Sequence, residues 1–481
     1  MKTTRELFLS TNYIFYEHTE RLAYFFVLCY NITKPCFRKE IVMNTEQIRI
    51  TQELIDFIAH SPTAFHAVET ISSMLDQAGF VCLSESSSAH ILPGGKYYLT
   101  RNGSSIIAFR IPECAPKGLL IVASHSDSPT FKLKVNCETE AAGGMLKLNT
   151  ERYGGMILSS WLDRPLSIAG RAVIRTTDGI ATRNVKLDRD LAIIPNVAIH
   201  QNRKINEEFK YNPACDTYPL IGEAMSKGKL PAMVAQAAGC EEDDLLGSDL
   251  YLYNRTPGTI LGVNDELFAS PRIDNLQCAF ASLQAFLTAV PAEHIQMVAC
   301  FDNEETGSTS RQGAASTFLV NTVDRIGEAL GLSVTQMNRL LPSSMMVSAD
   351  NGHAIHPCHP ELSDGMNAPR INRGVVIKYN ANQKYTTDAL SAALFGEICK
   401  KAGVPTQVFA NRSDMAGGST LGNISNTKLA LNTVDIGLAQ LSMHSSYETG
   451  GTDDTLYMIR ALTAFYATHI EALDNGSYRI Q

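Results

Sequence analysis

The stretch IQMVACFDNEETGS (Ile295–Ser308) joins an uninterrupted apolar run to a cluster of acidic residues. Its first seven residues have the composition of a buried β-strand, and the adjacent Glu304 and Glu305 follow where that strand would leave its sheet. Exposed acidic pairs are common and usually carry no function. Carboxylates at the end of a buried strand, in contrast, are often catalytic or bound to a metal. The stretch therefore predicts an α/β protein with functional groups at one edge of its sheet.

Similar apolar segments, rich in Val and Ile, recur along the chain and alternate with helical periods. This alternation predicts a mixed, doubly wound sheet that is covered on both faces. The other strand candidates are SSIIAFRI, GLLIVASH, SSMMVSAD, GVVIKYN and TKLALNTVDIG, and the helix candidates include LQCAFASLQAFLTAV and DALSAALFGEICKKAG. A last helix is predicted to carry on one face Ile459, Leu462, Tyr466, Ile470 and Leu473.

The stretch from Phe131 to Gly262 breaks the alternation. It holds many Gly and Asn turns, a polar loop, and short alternating segments such as KLKVN, MLKLNT, GRAVIRTT and RDLAIIP. This pattern predicts a mainly-β domain at residues 131–262, inserted into a discontinuous α/β domain of residues 43–130 and 263–481.

Residues 1–42 differ in character from the rest of the chain. Their apolar segment LAYFFVLCY (Leu22–Tyr30) is shorter than the roughly 20 residues that a membrane-spanning helix needs. Glutamates stand where a signal peptide would be basic. From Met43 the sequence is typical of the start of a cytoplasmic α/β protein, with Thr51 predicted to cap a helix. We therefore expect residues 1–42 to be a dispensable extension or a mis-assigned start.

The amino-acid composition and net charge exclude some kinds of binding partner. The 481 residues are 44% apolar and 19% charged, which is typical of a globular protein with more than one domain. A net charge of -8 without a Lys/Arg cluster argues against nucleic acid, and no segment predicts a membrane partner. The 11 cysteines are odd in number and form no CxxC pair, which suits reduced thiols in the cytoplasm.

Residue types that bind metals follow several of the strand candidates. Taken singly, a histidine at a strand end is commonly hydrogen-bonded at the surface, and an aspartate before a helix is commonly its N-cap. Together they are predicted to converge at one edge of the sheet, and imidazole and carboxylate are the ligands of catalytic zinc. The pattern favours a hydrolase with a pair of metal ions. The residues are His125, Asp127, Asp274, Glu304, Glu305, Asp350, His353 and His444.

Five segments resemble, in the same order, segments of the aspartyl aminopeptidase family, a group of dinuclear zinc aminopeptidases. They are VASHSDSPTFKLK, SPRIDNLQC, FDNEETGSTSRQGA, SADNGHAIHP and LSMHSS, and the resemblance extends from about Thr51 to the C-terminus. It implies two zinc ions per subunit, replaceable by manganese or cobalt. It also implies that Asp274 bridges the ions. The implied ligands are His125, Asp274, Glu305, Asp350 and His444.

The resemblance also implies the roles of two further carboxylates. Asp127 would orient the His125 imidazole, and Glu304 would be the general base that takes a proton from the attacking water. Because adjacent side chains of an extended segment point to opposite sides, we expect Glu305 to face a metal while Glu304 faces the water.

Substrate and assembly follow from the same resemblance. It implies removal of the N-terminal residue, preferentially Asp or Glu, from peptides. His353, Lys378 and Tyr385 match substrate-binding positions, and His200 matches a residue that reaches the site of a neighbouring subunit. The inserted domain would then be a dimerisation domain, with homodimers building a homododecamer.

Two alternatives stay open at this stage. An aminopeptidase of broader or apolar specificity would carry the same ligands, since an exposed lysine at position 378 is usually only solvated. A catalytically dead scaffold with bound metals is disfavoured by the complete ligand set and Glu304.

Two other motifs are weaker indications of a functional site. Proline-broken spacing favours a structural role for His356, Cys358 and His359, and the loop Met415–Gly422 matches one beside the family's active site.

Overall fold

The structure is a computed structural model that describes residues 35–87 and 90–481, with side chains from residue 45 onward. The segment Leu22–Tyr30 lies outside the described residues, so the account of residues 1–42 stays a prediction. The prediction that Thr51 caps a helix is wrong. Thr51 lies inside a helix that begins at Pro35, and no glycine or further proline interrupts the chain between them. Its hydroxyl donates to the carbonyl of Thr452 at 3.2 Å.

Ten α-helices are described and numbered here in chain order. They are Pro35–His60 (α1), Ala64–Gln77 (α2), Pro213–Asp216 (α3), Lys229–Ala238 (α4), Ile273–Thr288 (α5), Phe318–Ala329 (α6), Val334–Leu340 (α7), Ala389–Lys401 (α8), Leu421–Ser425 (α9) and Asp454–Ala467 (α10). Among the described residues, no helix is long and apolar enough to cross a lipid bilayer.

The strands are numbered in the same way. They are Val81–Cys82 (β1), Lys96–Arg101 (β2), Ser105–Arg110 (β3), Leu119–His125 (β4), Thr130–Ala141 (β5), Met145–Tyr153 (β6), Leu166–Thr176 (β7), Gly179–Lys186 (β8), Leu220–Glu223 (β9), Leu245–Asn254 (β10), Thr259–Leu261 (β11), Leu267–Ser270 (β12), Ile295–Phe301 (β13), Met345–Ala349 (β14), Gly352–His353 (β15), Val375–Tyr379 (β16), Thr406–Ala410 (β17), Asn432–Gly437 (β18), Ala439–Gln440 (β19), Glu448–Gly451 (β20), Ile470–Ala472 (β21) and Tyr478–Ile480 (β22).

A nine-stranded mixed sheet forms the larger layer, in the order β1-β2-β3-β13-β4-β14-β18-β16-β17. β4 lies between β13 and β14 and is parallel to both, whereas β3 runs antiparallel to β13. Apolar side chains alternate between two cores, so that Leu120 and Val122 face one side of β4 while Leu119 and Ile121 face the other. The sheet is thus covered on both faces, and the predicted α/β class with a mixed, doubly wound sheet is confirmed.

The predicted last helix extends too far. α10 ends at Ala467, and Ile470 and Leu473 lie beyond it, Ile470 as the first residue of β21. The physical reason is local pairing, because His469 and Gln481 exchange two backbone hydrogen bonds and align β21 with β22. The chain therefore leaves the helix before the apolar period is complete.

A second sheet of six antiparallel strands has the order β8-β7-β10-β5-β6-β9 and packs against α4. All its strands lie between Thr130 and Glu223 or in β10, within or beside the stretch predicted to be an inserted domain. The inserted domain and its boundaries stay a prediction. The predicted strand RDLAIIP is wrong in extent, since only isolated bridges form at Ala192 and Ile193.

Candidate metal centre

The parallel register of three central strands brings the first candidate ligands together. β4 ends at His125, which is level with Phe301 at the end of β13. β14 ends at Ala349, one residue before Asp350. Since the carboxyl ends of parallel strands meet at one edge, His125, Asp350 and the pair after β13 are neighbours there.

Two further candidates reach the same edge from other elements. Asp274 lies in the first turn of α5, so it is not the helix N-cap, and His444 lies in the loop between β19 and β20. Asp274 Oδ1 is 3.5 Å from His125 Nε2, and Asp274 Oδ2 is 3.4 Å from His444 Nε2. His125 Nε2 is also 3.5 Å from Asp350 Oδ1, and His444 Nε2 is 3.4 Å from Glu305 Oε1.

These side chains form three overlapping groups whose ligand atoms are close enough to hold a metal ion. The groups are His125, Glu304 and Glu305; His125, Asp274 and Asp350; and Asp274, Glu305 and His444. Asp274 Oδ1 and Glu305 Oε1 are buried and accept no hydrogen bond. Because buried carboxylate oxygens normally find donors, these two atoms fit a bound cation.

Burial and the neighbouring charges shift the pKa values of the titratable side chains in this cluster. Burial raises the pKa of Glu304 to about 8, and the neighbouring Asp350 and Asp127 add to that shift while His125 opposes it. Burial lowers the pKa of His444, but its interactions with Asp274 outweigh burial and raise the pKa to about 9. A divalent cation would relieve the repulsion among these carboxylates.

Asp127 organises the Glu304 side of the centre. Its Oδ1 is 3.3 Å from His125 Nδ1, and its two oxygens accept the backbone N–H groups of Glu304 and Glu305, each at 3.1 Å. The expectation of an extended backbone at the two glutamates is wrong, because Glu304–Thr306 forms a 3-10 turn after Asn303, whose φ is 62°. Asp127 thus holds a turn and an imidazole at once.

Some residues at the centre were missed by the sequence analysis. The Tyr153 hydroxyl donates to Asp127 Oδ2 at 2.7 Å, and a side chain on Gly154 would meet Glu305 Cβ at 3.1 Å. Both belong to the stretch predicted as an inserted domain, and nothing local in the sequence links them to the centre. Glu448 is buried beside Asp274 and His444. In the sequence, only its position four residues after His444 could have pointed to a role at the centre.

The predicted substrate residues lie next to the candidate ligands. Lys378 is 2% exposed, donates to the carbonyl of Asn351 at 2.7 Å, and places its ammonium 3.5 Å from Asp350 Oδ2. The same ammonium is 5.4 Å from the ring centre of Tyr385. The premise that Lys378 is exposed is therefore wrong. His353 lines a cavity of about 310 Å³ together with part of the loop Met415–Gly422.

Other candidates are not brought to the centre. His200 is exposed on the long loop between β8 and α3 of its own chain. The imidazole rings of His356 and His359 are 5.2 Å apart, and His359 pairs with Glu361. Among the side chains that the structure describes, the metal-capable groups include neither these histidines nor Cys358.

Comparison with known proteins decides the family. The sequence model of the family described as "Aminopeptidase I zinc metalloprotease (M18)" matches residues 57–466. The chain belongs to the M18 family of zinc metalloproteases. The protein is accordingly an aminopeptidase, as the sequence analysis predicted.

Individual relatives of this M18 aminopeptidase agree. It is 42% identical over 428 residues to "Probable M18 family aminopeptidase 2" of Clostridium acetobutylicum, covering 87% of this chain and 99% of that protein. A chain in the cryo-electron-microscopy structure of the Ape4 and Nbr1 complex is 34% identical with a TM-score of 0.85, covering 88% of this chain and 86% of that one. The S. cerevisiae mApe1 dodecamer contains a chain that is 29% identical with a TM-score of 0.77, covering 87% and 96%.

Proposed function

We propose that this M18 aminopeptidase holds two zinc ions per subunit and removes the N-terminal residue, preferentially Asp or Glu, from peptides. The position of Asp274 carries the proposal for a metal pair. Its two oxygens lie 3.5 and 3.4 Å from the imidazoles of His125 and His444, and each histidine belongs to a different metal-capable group. A carboxylate placed between two ligand groups is suited to bridge two ions.

The proposed ligands divide into two groups, one for each ion. His125, Asp274 and Asp350 would hold one ion, and Asp274, Glu305 and His444 would hold the other. Imidazole and carboxylate ligands fit zinc, and manganese or cobalt are reasonable replacements. When bound, such a pair would supply a Lewis acid that activates water and stabilises negative charge on the substrate carbonyl.

Glu304 is the proposed general base. Its carboxylate lies within 4.8 Å of ligand atoms of His125 and Glu305, so it is close enough to exchange a proton with a water molecule at the centre. Glu304 takes a proton from the attacking water and delivers it to the amine that leaves. Asp127 supports this role because it fixes the backbone of Glu304 and the orientation of His125.

The preference for acidic residues rests on Lys378 beside His353 and Tyr385. The positive charge of this buried ammonium would favour a substrate carboxylate. One observation favours broader specificity instead: Asp350 is 3.5 Å from that ammonium and already balances part of its charge. The two alternatives differ in what Lys378→Met would do, since only an acidic preference depends on the charge.

Assembly into homodimers that build a homododecamer is proposed from two observations. A related chain is described as the mApe1 dodecamer. In the region of the six-stranded sheet, Val135, Ile180 and Met225 are 99%, 72% and 80% exposed, which suits burial against a second copy. Residues 131–262 would then be the dimerisation domain, and His200 would complete the site of the neighbouring subunit.

The test is an assay of purified protein with aspartyl, glutamyl and leucyl substrates, with and without chelator. We expect acidic substrates to be preferred in the wild type and the preference to disappear in Lys378→Met. Preference for the leucyl substrate, unchanged by Lys378→Met, would establish the broader specificity. Full activity in metal-free protein would reject the metal mechanism.

A further inference from the structure

A buried glutamate that the sequence analysis missed lies beneath the candidate centre. Glu448 begins β20, is 1% exposed, and pairs in register with Ser270 at the end of β12. It is not one of the metal-capable residues. Its two oxygens are directed instead at the backbones of the two segments that carry Asp274 and His444.

The contacts of Glu448 join these two segments. Its Oε2 accepts the backbone N–H of Asp274 at 3.0 Å, and its Oε1 accepts the backbone N–H of His444 at 2.7 Å. Oε1 also accepts Gln440 Nε2 at 3.3 Å. One carboxylate therefore sets the spacing between α5 and the loop after β19.

That loop needs an external support. His444 has φ 65°, a left-handed conformation that is uncommon for residues other than glycine. Leu441 and Thr449 close the base of the loop with two backbone hydrogen bonds. At its tip the His444 amide donates to Glu448, and the His444 carbonyl accepts the Ile157 N–H at 3.0 Å. The His444 imidazole depends on this backbone for its position beside Asp274 and Glu305.

We propose that Glu448 is a positioning residue for the metal centre, and that it fixes the distance between the Asp274 and His444 ligands by binding both of their backbone amides. The inference rests on the proposed metal centre. Glu448 contributes no ligand atom. Its effect is to preorganise two ligands before an ion binds, which raises the affinity of the centre for metal.

A glutamine at position 448 tests the hydrogen bonds of the side chain separately from its size and shape. Glu448→Gln keeps the size of the side chain but has only one acceptor oxygen. Because Oε1 receives two donors, the amide oxygen of the glutamine would take that place, and its NH₂ group would oppose the backbone N–H of Asp274. The Asp274 amide then loses its acceptor inside a buried site.

Asp454 offers a matched control. This carboxylate is also fully buried and also accepts two backbone amides, those of Asn372 at 2.7 Å and Gly374 at 3.0 Å. Neither partner is a proposed ligand. Asp454→Asn should therefore disturb the fold in the same way as Glu448→Gln without touching the ligand geometry.

The experiment measures zinc occupancy of the full-length chain in buffers of fixed free zinc, together with the melting temperature of the metal-free protein. We expect Glu448→Gln to need about 10–100-fold more free zinc for half occupancy than the wild type. Asp454→Asn should bind zinc like the wild type, even if both variants melt earlier. Equal zinc affinity in all three proteins, or an equal loss in both variants, would overturn the proposal.

A measurement on the wild type covers the case in which Glu448→Gln does not fold. In metal-free protein, the amides of Asp274 and His444 should be protected from hydrogen exchange, because Glu448 binds them without a metal. Fast exchange at either amide would overturn the proposal. Should the wild type bind no zinc at all, the proposed metal centre fails, whereas wild-type affinity in Glu448→Gln rejects only the role of Glu448.

Discussion

Two buried carboxylates, Asp127 and Glu448, support different sides of the candidate centre. Each accepts two backbone amides from segments that carry active groups. The amides bound by Asp127 belong to the adjacent Glu304 and Glu305 in one short turn. Those bound by Glu448 belong to Asp274 and His444, on separate elements.

The difference concerns how each side is ordered. A single turn fixes Glu304 and Glu305 relative to one another, so Asp127 has only to anchor that turn. On the other side no local structure relates Asp274 to His444, and a tertiary contact must do so. Asp127 should therefore act on the catalytic Glu304 as well as on the proposed ligands Glu305 and His125, whereas Glu448 should act on proposed ligands alone.

The largest expected effect separates the two glutamates of the turn. Glu304→Gln should retain its metals but lose several orders of magnitude in kcat, because the general base is removed while the ligands remain. Glu305→Ala should lose metal as well as activity. Metal analysis and steady-state kinetics on both variants provide the measurement. A metal-free Glu304→Gln beside a fully loaded Glu305→Ala would reverse their roles.

Asp127→Asn should have the next largest effect. The amide keeps one acceptor, so one of the backbone N–H groups of Glu304 and Glu305 loses its partner and the imidazole of His125 loses a negative neighbour. We expect kcat to fall about 10–100-fold. If the comparison with Glu448 is right, Asp127→Asn has a lower kcat even at saturating zinc, whereas Glu448→Gln mainly needs more zinc. An effect on zinc affinity alone would remove the distinction between the two sides.

A third region of the molecule, the loop that carries His200, also bears on the active site. If this residue acts in the site of a neighbouring subunit, Glu304→Gln and His200→Phe should complement one another when expressed together. Random mixing leaves about a quarter of all sites with both groups intact, so about a quarter of wild-type activity should return. Mixed assemblies confirmed by mass that show no activity beyond the separate variants would reject the shared site.

The smallest expected effect belongs to Tyr153. Tyr153→Phe removes the hydrogen bond to Asp127 and the acceptor of Asn303 Nδ2, but leaves both backbone amides in place. A single hydrogen bond to a charged group contributes about 1.5–3 kcal/mol, part of which water can replace, so kcat should fall less than in Asp127→Asn. Kinetics of both variants, side by side, test this order. A greater loss in Tyr153→Phe would mean that the hydroxyl has a role of its own.

Six strands of the nine-stranded sheet could be predicted because they are apolar runs that alternate with amphipathic helices. The edge strands β1, β2 and β17 were not among the candidates. Convergence of His125, Glu305 and Asp350 followed from the same pattern, since parallel strands place their carboxyl ends at one edge. Segments without a strong period were less predictable. The end of α10 depends on the pairing of β21 with β22, and the turn at Glu304 depends on Asp127.

Tertiary contacts could not be predicted from the sequence for a related reason. Tyr153 and Glu448 act through contacts between elements that are far apart in the chain, and a tyrosine in a strand or a glutamate after a loop has no distinguishing local pattern. The burial of Lys378 likewise results from packing beneath Asp350, which its position in β16 alone did not reveal.

The most direct test of the metal pair is a count of zinc ions in the wild type and in His444→Ala after dialysis at fixed free zinc. We expect about two ions per subunit in the wild type and about one in His444→Ala, because His125, Asp274 and Asp350 remain as a separate group. A single ion in the wild type, or the same count in both proteins, would contradict the proposal that Asp274 bridges two ions.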